Sequence, residues 1–338
     1  MAKETIRQHY VPKTYMKRFS SERNDSHYIM GIDKMAIQQE KIIEFNTANV
    51  CLRKNLYTLN GNTEKERQKI EKFYSEEIEN NYNNVYSMLT NPTKVFITPN
   101  ERELILSTII AMLYRTTKWI SEHNKVWDMS LERVYYLCEQ TGSKHFQFEG
   151  ERISIEGKSL QQIQKEFATN SRENQVKTQL EVAFKLISVR LNDGIFVSKL
   201  GKSDCRFITS DNPVVLRNSR NVKIIPFDRH NTITLPLDEK HKLMIMPTSE
   251  PSEQNLIVRH TTFGTWADLD MIVSNGLQLE NSEKFILGSE ENLKEYLLLK
   301  KEFERPMTKS EKSETKTNEE ILNKIKSVRE KISSSKFS

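Results

Sequence analysis

The hydrophobic pattern of the chain changes its period at Gly194, and this change limits the folds that the sequence can adopt. Between residues 63 and 192, apolar side chains recur at helical spacing in segments long enough for helices of several turns. From Gly194 onward, short runs rich in β-branched residues recur about every ten residues, a spacing typical of an antiparallel sheet. After Thr261 the helical spacing returns. The sequence therefore predicts an α+β fold with long helices in the first half, an antiparallel sheet around residues 194–247 and C-terminal helices.

We predict one α+β domain over residues 1–304, with a helical part at about 63–192 and a β-rich part at about 194–260. Residues 305–338 are rich in Ser, Thr, Lys and Glu, a composition that favours a flexible basic tail. A short amphipathic helix is predicted near its end, where four apolar residues follow helical spacing: Ile321, Ile325, Val328 and Ile332. We expect this helix to contact the body of the protein or a partner protein. Contact with nucleic acid or an anionic membrane is the less favoured alternative.

The net charge of +5 is concentrated in the tail. Residues 305–338 hold nine Lys or Arg and five Asp or Glu, so the preceding residues carry a net charge of only +1. A body so close to neutrality lacks the bulk positive potential of a protein built to bind polyanions. A local basic groove that binds nucleic acid or another anionic ligand remains open as an alternative.

The N-terminal residues MAKETIRQHY contain no apolar segment of the signal-peptide type. The longest apolar run, from Leu104 to Tyr114, is interrupted by polar residues and is too short to span a bilayer. We therefore predict a soluble cytoplasmic protein with no membrane partner. Its three cysteines, Cys51, Cys138 and Cys205, are far apart in the chain, which argues against a disulfide framework and against a zinc site.

The segment RQHYVPKTYMKRF, residues 7–19, places a histidine, two tyrosines and a proline where chains commonly fray. His9 is the first candidate catalytic residue, since imidazole is the usual general acid or base near neutral pH. Tyr10 and Lys17 are candidate substrate-binding residues. The alternative for His9 is a structural role in the turn that Pro12 begins. Four side chains of the segment are expected to pack in the core: Val11, Tyr15, Met16 and Phe19.

A second polar motif, RFITSDNPVVL at residues 206–216, follows a short apolar run. Its proline forces extended backbone at Asn212, and Asp and Asn side chains can bond backbone amides two residues on. Asp211 is a candidate catalytic residue that would orient His9, bind a metal or act as a base. Ser210 and Asn212 are candidate substrate-binding residues at the end of a rigid strand. The structural alternative is an Asx turn in a hairpin.

Arg115 is the third candidate catalytic residue, because it lies within an apolar helix that is predicted to start after Pro99 and to run through ERELILSTIIAMLYRTTKWISEH. A buried guanidinium needs a carboxylate or an anionic ligand to compensate its charge. Structural pairing with Glu71 or Glu79 and recognition of a phosphate or carboxylate are both compatible with the sequence. No P-loop, GxSxG, HExxH or GxGxxG motif occurs, and the other histidines lack metal-ligand spacing.

The two motifs and the Arg-Thr pair between them resemble the bacterial proteins grouped as domain-of-unknown-function family 4238. The resemblance rests on HYVP with the aromatic residues that follow it, on Arg115 with its threonine, and on TSDNPV at residues 209–214. Met16 stands where leucine is usual in the family, and Thr and Lys follow the Arg-Thr pair where a proline and a second arginine are frequent. The resemblance implies no particular activity, but it favours a single site at which the two motifs meet.

The residue types predicted for this site suit hydrolysis of a phosphodiester or another anionic substrate, as in a nuclease of a defence or prophage system. His9 would be the general acid or base, and Arg115 would stabilise the developing anion. Asp211 would orient the histidine or hold a divalent metal such as Mg or Mn, and Glu79 is a weaker member of the site. The alternative is a non-enzymatic ligand-binding or interaction module in which the HYVP and SDNP motifs are structural. The sequence leaves open whether the protein is an enzyme, and it identifies no substrate, metal or oligomeric state.

Overall fold

Strands from distant parts of the chain form two five-stranded sheets in the computed structural model, which describes residues 6–202, 204–218, 227–248 and 255–304 together with Asn323 and Ser327. The strands are β1 Arg7–His9, β2 Ser21–Arg23, β3 Ser26–Asp33, β4 Ile42–Asn46, β5 Leu52–Lys54, β6 His145–Phe148, β7 Glu151–Ser154, β8 Gly194–Leu200, β9 Thr209–Ser210, β10 Val215–Asn218, β11 Asn231–Pro236, β12 His241–Met246, β13 Ile257–Thr262 and β14 Phe285–Gly288. The helices are α1 Lys13–Met16, α2 Glu64–Arg67, α3 Lys69–Phe73, α4 Asn80–Thr90, α5 Pro99–Tyr114, α6 Thr117–Thr141, α7 Leu160–Asn170, α8 Arg172–Arg190, α9 Gly264–Asn281 and α10 Glu290–Glu304. The predicted flexible tail and its helix lie outside the described residues, apart from Asn323 and Ser327.

The first sheet joins the start of the chain to its C-terminal part. Strand β3 pairs antiparallel with β2, β4 and β14, and β14 pairs antiparallel with β9. Leu287 of β14 therefore lies opposite Gly31 on one side and Thr209 on the other. A glycine suits position 31, because a Cβ there would come within 2.9 Å of the Leu287 side chain. This pairing brings the TSDNP motif beside the N-terminal strands, although most of the helices separate them in the chain.

The second sheet has the strand order β10-β11-β12-β8-β13. Its first four strands pair antiparallel, whereas β13 pairs parallel with β8. Apolar residues at alternate positions of three central strands belong to the main core: Ile195, Val197, Ile233, Leu235, Leu243 and Ile245. The predicted α+β class with an antiparallel sheet is thus observed, and one parallel strand extends the sheet beyond the predicted range.

The predicted order of the elements is matched only in part. Five strands precede the long helices of the first half. Two of them, β3 and β4, agree with the two short strands that the pattern of residues 27–45 predicts, and the other three have only three residues, too few for a period-2 pattern to show. Strand β9 belongs to the first sheet rather than to the predicted sheet around 194–247. The chain crosses from one sheet to the other within residues 211–214, where Pro213 has no N–H to donate to a ladder.

The helix α5 is fixed at its start by local signals in the sequence. Thr98 and Glu101 form a capping box, and Pro99 occupies the first turn. The helix is buried along most of its length and packs against α8. It does not run on into α6, because Arg115 and Thr116 form a break between the two helices.

The N-terminal motif is held by pairing and by burial. Strand β1 pairs antiparallel with β5, and four side chains that follow it are buried as expected: Val11, Tyr15, Met16 and Phe19. The Tyr15 hydroxyl donates to the Pro236 carbonyl oxygen at 3.0 Å. Three cysteines are buried free thiols: Cys51, Cys138 and Cys205. In the part of the chain that the structure describes, no helix combines the length and apolarity needed to cross a membrane.

Candidate functional site

Arg115 lies at the break between α5 and α6, and its side chain is fully buried. Its Nη2 donates to the His9 carbonyl oxygen at 2.5 Å and to Glu79 Oε1 at 3.0 Å. The guanidinium carbon lies 4.6 Å from the ring centre of Tyr74 and 5.8 Å from that of Tyr57, both within cation–π range. Nε and Nη1 have no hydrogen-bond partner among the described residues. Arg115 therefore holds the HYVP strand by its backbone and keeps two unused donors in the interior.

A π-helical turn, Tyr74–Glu79, positions the acidic residues around this guanidinium. Glu71 and Glu79 would lie about 80° apart on an α-helix with about 3.6 residues per turn. The π turn takes more residues per turn, so it brings the two carboxyls toward one face. Burial raises the pKa of Glu71 to about 7, Arg115 opposes the rise and Glu79 adds to it. Oε2 of Glu71 is buried and has no hydrogen-bond partner in the described part of the chain. We call Arg115, Glu71 and Glu79 the Arg115 centre.

His9 joins the Arg115 centre through its carbonyl oxygen, while its side chain bonds elsewhere. Nε2 lies 3.2 Å from the Thr47 carbonyl oxygen, and we assign the ring proton to Nε2 on this contact. Burial lowers the pKa of His9 to about 4, although Glu79 partly opposes this shift. The imidazole is therefore neutral at neutral pH.

The Asp211 carboxylate is bound on both oxygens by backbone amides that lead into β14. Oδ1 accepts from the Glu283 N–H at 2.9 Å, and Oδ2 accepts from those of Lys284 at 2.7 Å and Phe285 at 3.1 Å. Asp211 is 1% exposed, and burial raises its pKa above the ordinary value although the three amides oppose this rise. The carboxylate thus closes the turn where the chain changes sheets.

Three amide side chains of α9, spaced three residues apart on one helix face, hold the segment around the SDNP motif: Asn275, Gln278 and Asn281. Gln278 Oε1 accepts from the Ser210 hydroxyl at 2.7 Å, and its Nε2 donates to the Pro213 carbonyl oxygen at 2.9 Å. Asn281 Nδ2 donates to the Asn212 carbonyl oxygen at 2.6 Å. The side chain of Asn212 returns a bond to the Asn281 carbonyl oxygen at 3.0 Å. The motif is therefore tied to a helix as well as to the first sheet.

The start of α6 connects the two motifs. The Thr117 hydroxyl donates to Glu283 Oε2, and Lys118 Nζ donates to Asn281 Oδ1 at 2.7 Å. Arg115, two residues earlier, holds the HYVP strand. The break between α5 and α6 thus lies between HYVP and SDNP and bonds to elements that carry both. Within the described residues, no hydrogen bond joins the His9 and Asp211 side chains directly.

An open cavity of about 630 Å³, which we call the junction cavity, lies where the two motifs approach each other. Its wall includes Tyr10 of HYVP and Asp211 of SDNP, together with Arg53 and Lys284. The volume falls within the range of small-molecule sites, roughly 300–1,000 Å³. The Lys284 ammonium lies 4.8 Å from the Phe285 ring centre. It has neither a carboxylate nor a hydrogen-bond partner among the residues that the structure describes.

A family model described as "Protein of unknown function (DUF4238)" matches residues 7–292 of the chain. The chain belongs to this family. The matched range contains both motifs, the break that connects them and every strand of the two sheets. The resemblance that HYVP and SDNP indicate in the sequence is thus confirmed. Neither the curated proteins nor the solved structures contain a match to the chain.

In this DUF4238 fold, some of the sequence-predicted site residues lie together. His9, Arg115 and Glu79 are connected by hydrogen bonds to one guanidinium nitrogen, although His9 takes part through its backbone. The pairing of Arg115 with Glu79 is one of the two alternatives that the sequence leaves open. Tyr10 and Asp211 line the junction cavity, whose lining residues do not include His9 or Arg115.

The remaining predicted binding residues are placed differently. Ser210 is fully buried against Gln278, and the amide nitrogen of Asn212 bonds the backbone of α9. Oδ1 of Asn212 is buried without a hydrogen-bond partner in the described part of the chain. Lys17 is exposed and does not line the junction cavity. Among the described residues, no group of three or more His, Cys, Asp or Glu side chains is placed to hold a metal ion.

Two kinds of residue at these sites are missed by the sequence reasoning. The spacing of the α9 amides could have predicted their role, since Asn275, Gln278 and Asn281 recur every third residue of a helix in a pattern that places them on one face. No sequence pattern could have predicted Arg53 and Lys284 as cavity residues, because their place on the wall depends on how β5 and β14 pair with other strands.

Proposed function

We propose that this DUF4238 protein binds a small anionic ligand in the junction cavity, and that HYVP and SDNP form the frame of that cavity. The observation that carries the proposal is the Lys284 ammonium, which lines the cavity and lacks a carboxylate partner among the described residues. A cation on a concave wall attracts an anionic group, and the wall around it restricts how the group is oriented.

The acidic residues of the same wall have bonding partners. Asp211 accepts three backbone N–H bonds, and Asp33 accepts the Met35 N–H at 2.9 Å. Glu283 accepts from a hydroxyl group and lies 3.9 Å from the Arg53 guanidinium. The wall holds these three carboxyl groups and two cationic side chains, and of these five groups Lys284 is the one without a bonding partner among the described residues. This difference favours an anion over a cation as the ligand.

Aromatic rings supply the apolar part of the wall. Tyr10, Phe45 and Phe285 line the cavity, and the ring centres of Phe45 and Phe285 lie 5.1 Å apart. Rings of this kind pack well against a flat or apolar portion of a ligand. We therefore expect a ligand that combines an anionic group with a ring.

Thermal unfolding of the full chain tests this proposal with a panel of defined probes: inorganic phosphate, citrate, adenosine 5′-monophosphate and uncharged adenosine. We expect at least one anionic probe to raise the melting temperature, because a ligand present at about 100 times its Kd stabilises the folded state by about 2.7 kcal/mol. Adenosine should have no comparable effect. The absence of any shift with all three anions would contradict the proposal.

A matched pair of variants locates the binding. Lys284→Met should weaken binding of the active anion at least tenfold in calorimetric titration, because the unpaired ammonium is removed. Lys54→Met changes an exposed lysine of β5 that does not line the cavity, and its affinity should equal that of the wild type. Equal losses in both variants would point to general surface charge instead.

A second candidate function is hydrolysis of a phosphodiester or another anionic substrate, in the manner of a nuclease. The Arg115 centre favours it, since a guanidinium with unused donors lies beside a carboxyl whose pKa is about 7. In this function the charge of the buried Arg115 would stabilise the developing anion without direct contact, and His9 or Asp211 would act in the roles that the sequence predicts for them.

Incubation with RNA and DNA oligonucleotides, with Mg or Mn added, tests this second function. We expect cleavage by the wild type and a loss of at least tenfold in Arg115→Lys, which keeps the charge but not the planar donors. Arg133→Lys on the exposed side of α6 is the control and should cleave normally. A wild type that cleaves neither nucleic acid with either metal rules out the nuclease form.

A further inference from the structure

Two carboxyl groups share a single buried guanidinium in the Arg115 centre. Arg115 donates to Glu79 at 3.0 Å, and Glu71 is close enough for both residues to affect its ionisation. If both carboxyls were ionised, the centre would contain one more negative than positive charge, which a partly desolvated site disfavours. One proton is therefore retained up to neutral pH. Glu71 retains it, because Glu79 forms the ion pair.

The groups that face Glu71 come from several elements. Arg115 comes from the break between α5 and α6, Glu79 from the π turn, and the phenols of Tyr57 and Tyr74 complete the cluster. Burial raises the pKa of Tyr74 to about 12 and that of Tyr57 further, so both phenols stay protonated. The Tyr57 hydroxyl donates to the Arg115 carbonyl oxygen. Glu71 is thus the member of the cluster whose charge changes near neutral pH.

The carboxyls of the centre reach the surface, whereas the guanidinium does not. The Glu79 side chain is 19% exposed and that of Arg115 is 0% exposed. Glu71 is half-buried, and its Oε2 has no hydrogen-bond partner in the described part of the chain. A molecule at the surface can therefore reach Glu71, while Arg115 is shielded behind it.

We infer that Glu71, which lies near Arg115 and Glu79, is the general base that takes a proton from the water attacking a bound substrate; this inference rests on the second candidate function, hydrolysis. The attacking water loses a proton to the Glu71 carboxylate as the water oxygen bonds to phosphorus. The oxygen of the leaving alcohol takes a proton from solvent as its bond to phosphorus breaks, and Glu71 then returns its own proton to solvent. Water and phosphodiester thus become phosphomonoester and alcohol, with no other reactant.

His9 is less suited to this role than the sequence predicts. Its Nε2 bonds the Thr47 carbonyl oxygen, and its pKa of about 4 makes it a weak base. A carboxyl that titrates near the working pH transfers protons in both directions more readily. The proton transfer therefore belongs to Glu71 of α3 rather than to the HYVP motif.

Carbon-13 NMR of the full chain, labelled at the glutamate carboxyls, tests the inference without any substrate. We expect one carboxyl to titrate with a midpoint near pH 7. This signal should be missing in Glu71→Gln and present in Glu76→Gln, which changes an exposed residue of the π turn that follows α3. If every glutamate titrates below about pH 6, as exposed glutamates ordinarily do, the inference is wrong.

Hydrolysis of bis(4-nitrophenyl) phosphate in the presence of Mg, followed from pH 5 to 9, separates the two proposals. The wild-type rate should change with pH around pH 7. Glu71→Gln should lose this pH dependence and react at least tenfold more slowly. Glu71→Asp should keep the pH dependence at a lower rate. Circular dichroism confirms that each variant is folded. If Glu71→Gln hydrolyses the substrate with the same pH dependence as the wild type, the role of Glu71 is wrong but the hydrolase function is supported. If the wild type does not hydrolyse the substrate, both the proposed hydrolase function and this inference are wrong.

Discussion

The SDNP turn and the Arg115 centre both bury polar groups, but they differ in how completely those groups are hydrogen-bonded. In the SDNP turn, both oxygens of Asp211 accept backbone N–H bonds and Ser210 bonds a side chain of α9, while Oδ1 of Asn212 has no partner in the described part of the chain. In the Arg115 centre, two guanidinium nitrogens and one oxygen of Glu71 have no partner among the described residues. A hydrogen-bonded group stabilises the fold, whereas a buried polar group without a partner costs free energy. The SDNP turn is therefore the more completely hydrogen-bonded of the two regions.

The largest effect on stability is expected for Arg115→Ala. The change leaves Glu79 without its cation and the His9 carbonyl without its donor, and breaking a buried pair in this way costs about 3–5 kcal/mol. Urea unfolding measures the loss. Arg133→Ala, at an exposed position of α6, should stay within about 0.5 kcal/mol of the wild type. A similar small loss for both variants would show that the centre contributes little to the fold.

The second largest effect is expected for Asp211→Ala, which should lower the free energy of unfolding in urea by about 2–4 kcal/mol. Three backbone amides lose their acceptor, and each unsatisfied buried donor costs about 1–3 kcal/mol with partial relief by water. Glu181→Ala, an exposed carboxylate on α8, is the matched control. If Asp211→Ala unfolds like the wild type, the contrast between the two regions fails.

Glu71→Gln should change stability in a pH-dependent way. The folded pKa of Glu71, about 7, exceeds its ordinary value of 4.5, so between these values the folded state binds more protons than the unfolded state. Wild-type stability therefore falls as pH rises through this window. The variant should gain about 1–2 kcal/mol relative to wild type between pH 5 and pH 8, less than the full shift implies because the carboxyl is partly exposed.

His9 acts with the opposite sign between about pH 4 and its ordinary value of 6.5, because its folded pKa is lowered. The stability it contributes is lost as pH falls through this window. The Glu71→Gln comparison is therefore made against wild type at each pH by urea unfolding. A difference that does not change from pH 5 to pH 8 would contradict the shift of Glu71.

The smallest effect is expected for Ser210→Ala, which removes the hydrogen bond to Gln278 Oε1 and the longer one from the Asn212 N–H at 3.3 Å. The net contribution of such a bond is about 1 kcal/mol. Ser87→Ala on the exposed side of α4 should change the unfolding free energy by less than about 0.5 kcal/mol. Loss of ligand binding in Ser210→Ala without loss of stability would instead support the substrate-binding role that the sequence predicts.

Part of the fold was predictable because its signals are local. The capping box at Thr98 and the period change at Gly194 act over a few residues, and both mark real element boundaries. The assignment of β9 to the first sheet was not predictable in this way. It depends on pairing with β14, a strand more than seventy residues later in the chain.

Part of the site was predictable for the same reason. An arginine that follows an apolar helix must be compensated if it is buried, so a partner such as Glu79 could be expected for Arg115. The raised pKa of Glu71 could not be predicted from the sequence, since it requires the π turn and the burial of the side chain in the folded protein. The role of Lys284 likewise depends on where β14 docks.

The amino-acid sequence by itself determined the family, the mixed α+β class and the residues whose polarity needs a partner, because periodicity, capping and motif composition are properties of neighbouring residues. Only the tertiary structure decided which of these polar groups are bonded and which are left with unused donors and acceptors. Asp211 finds its amides at residues 283–285, and Arg115 finds His9 more than a hundred residues earlier. Contacts over such separations are set by the packing of the whole chain, so the pattern of any one segment does not contain them.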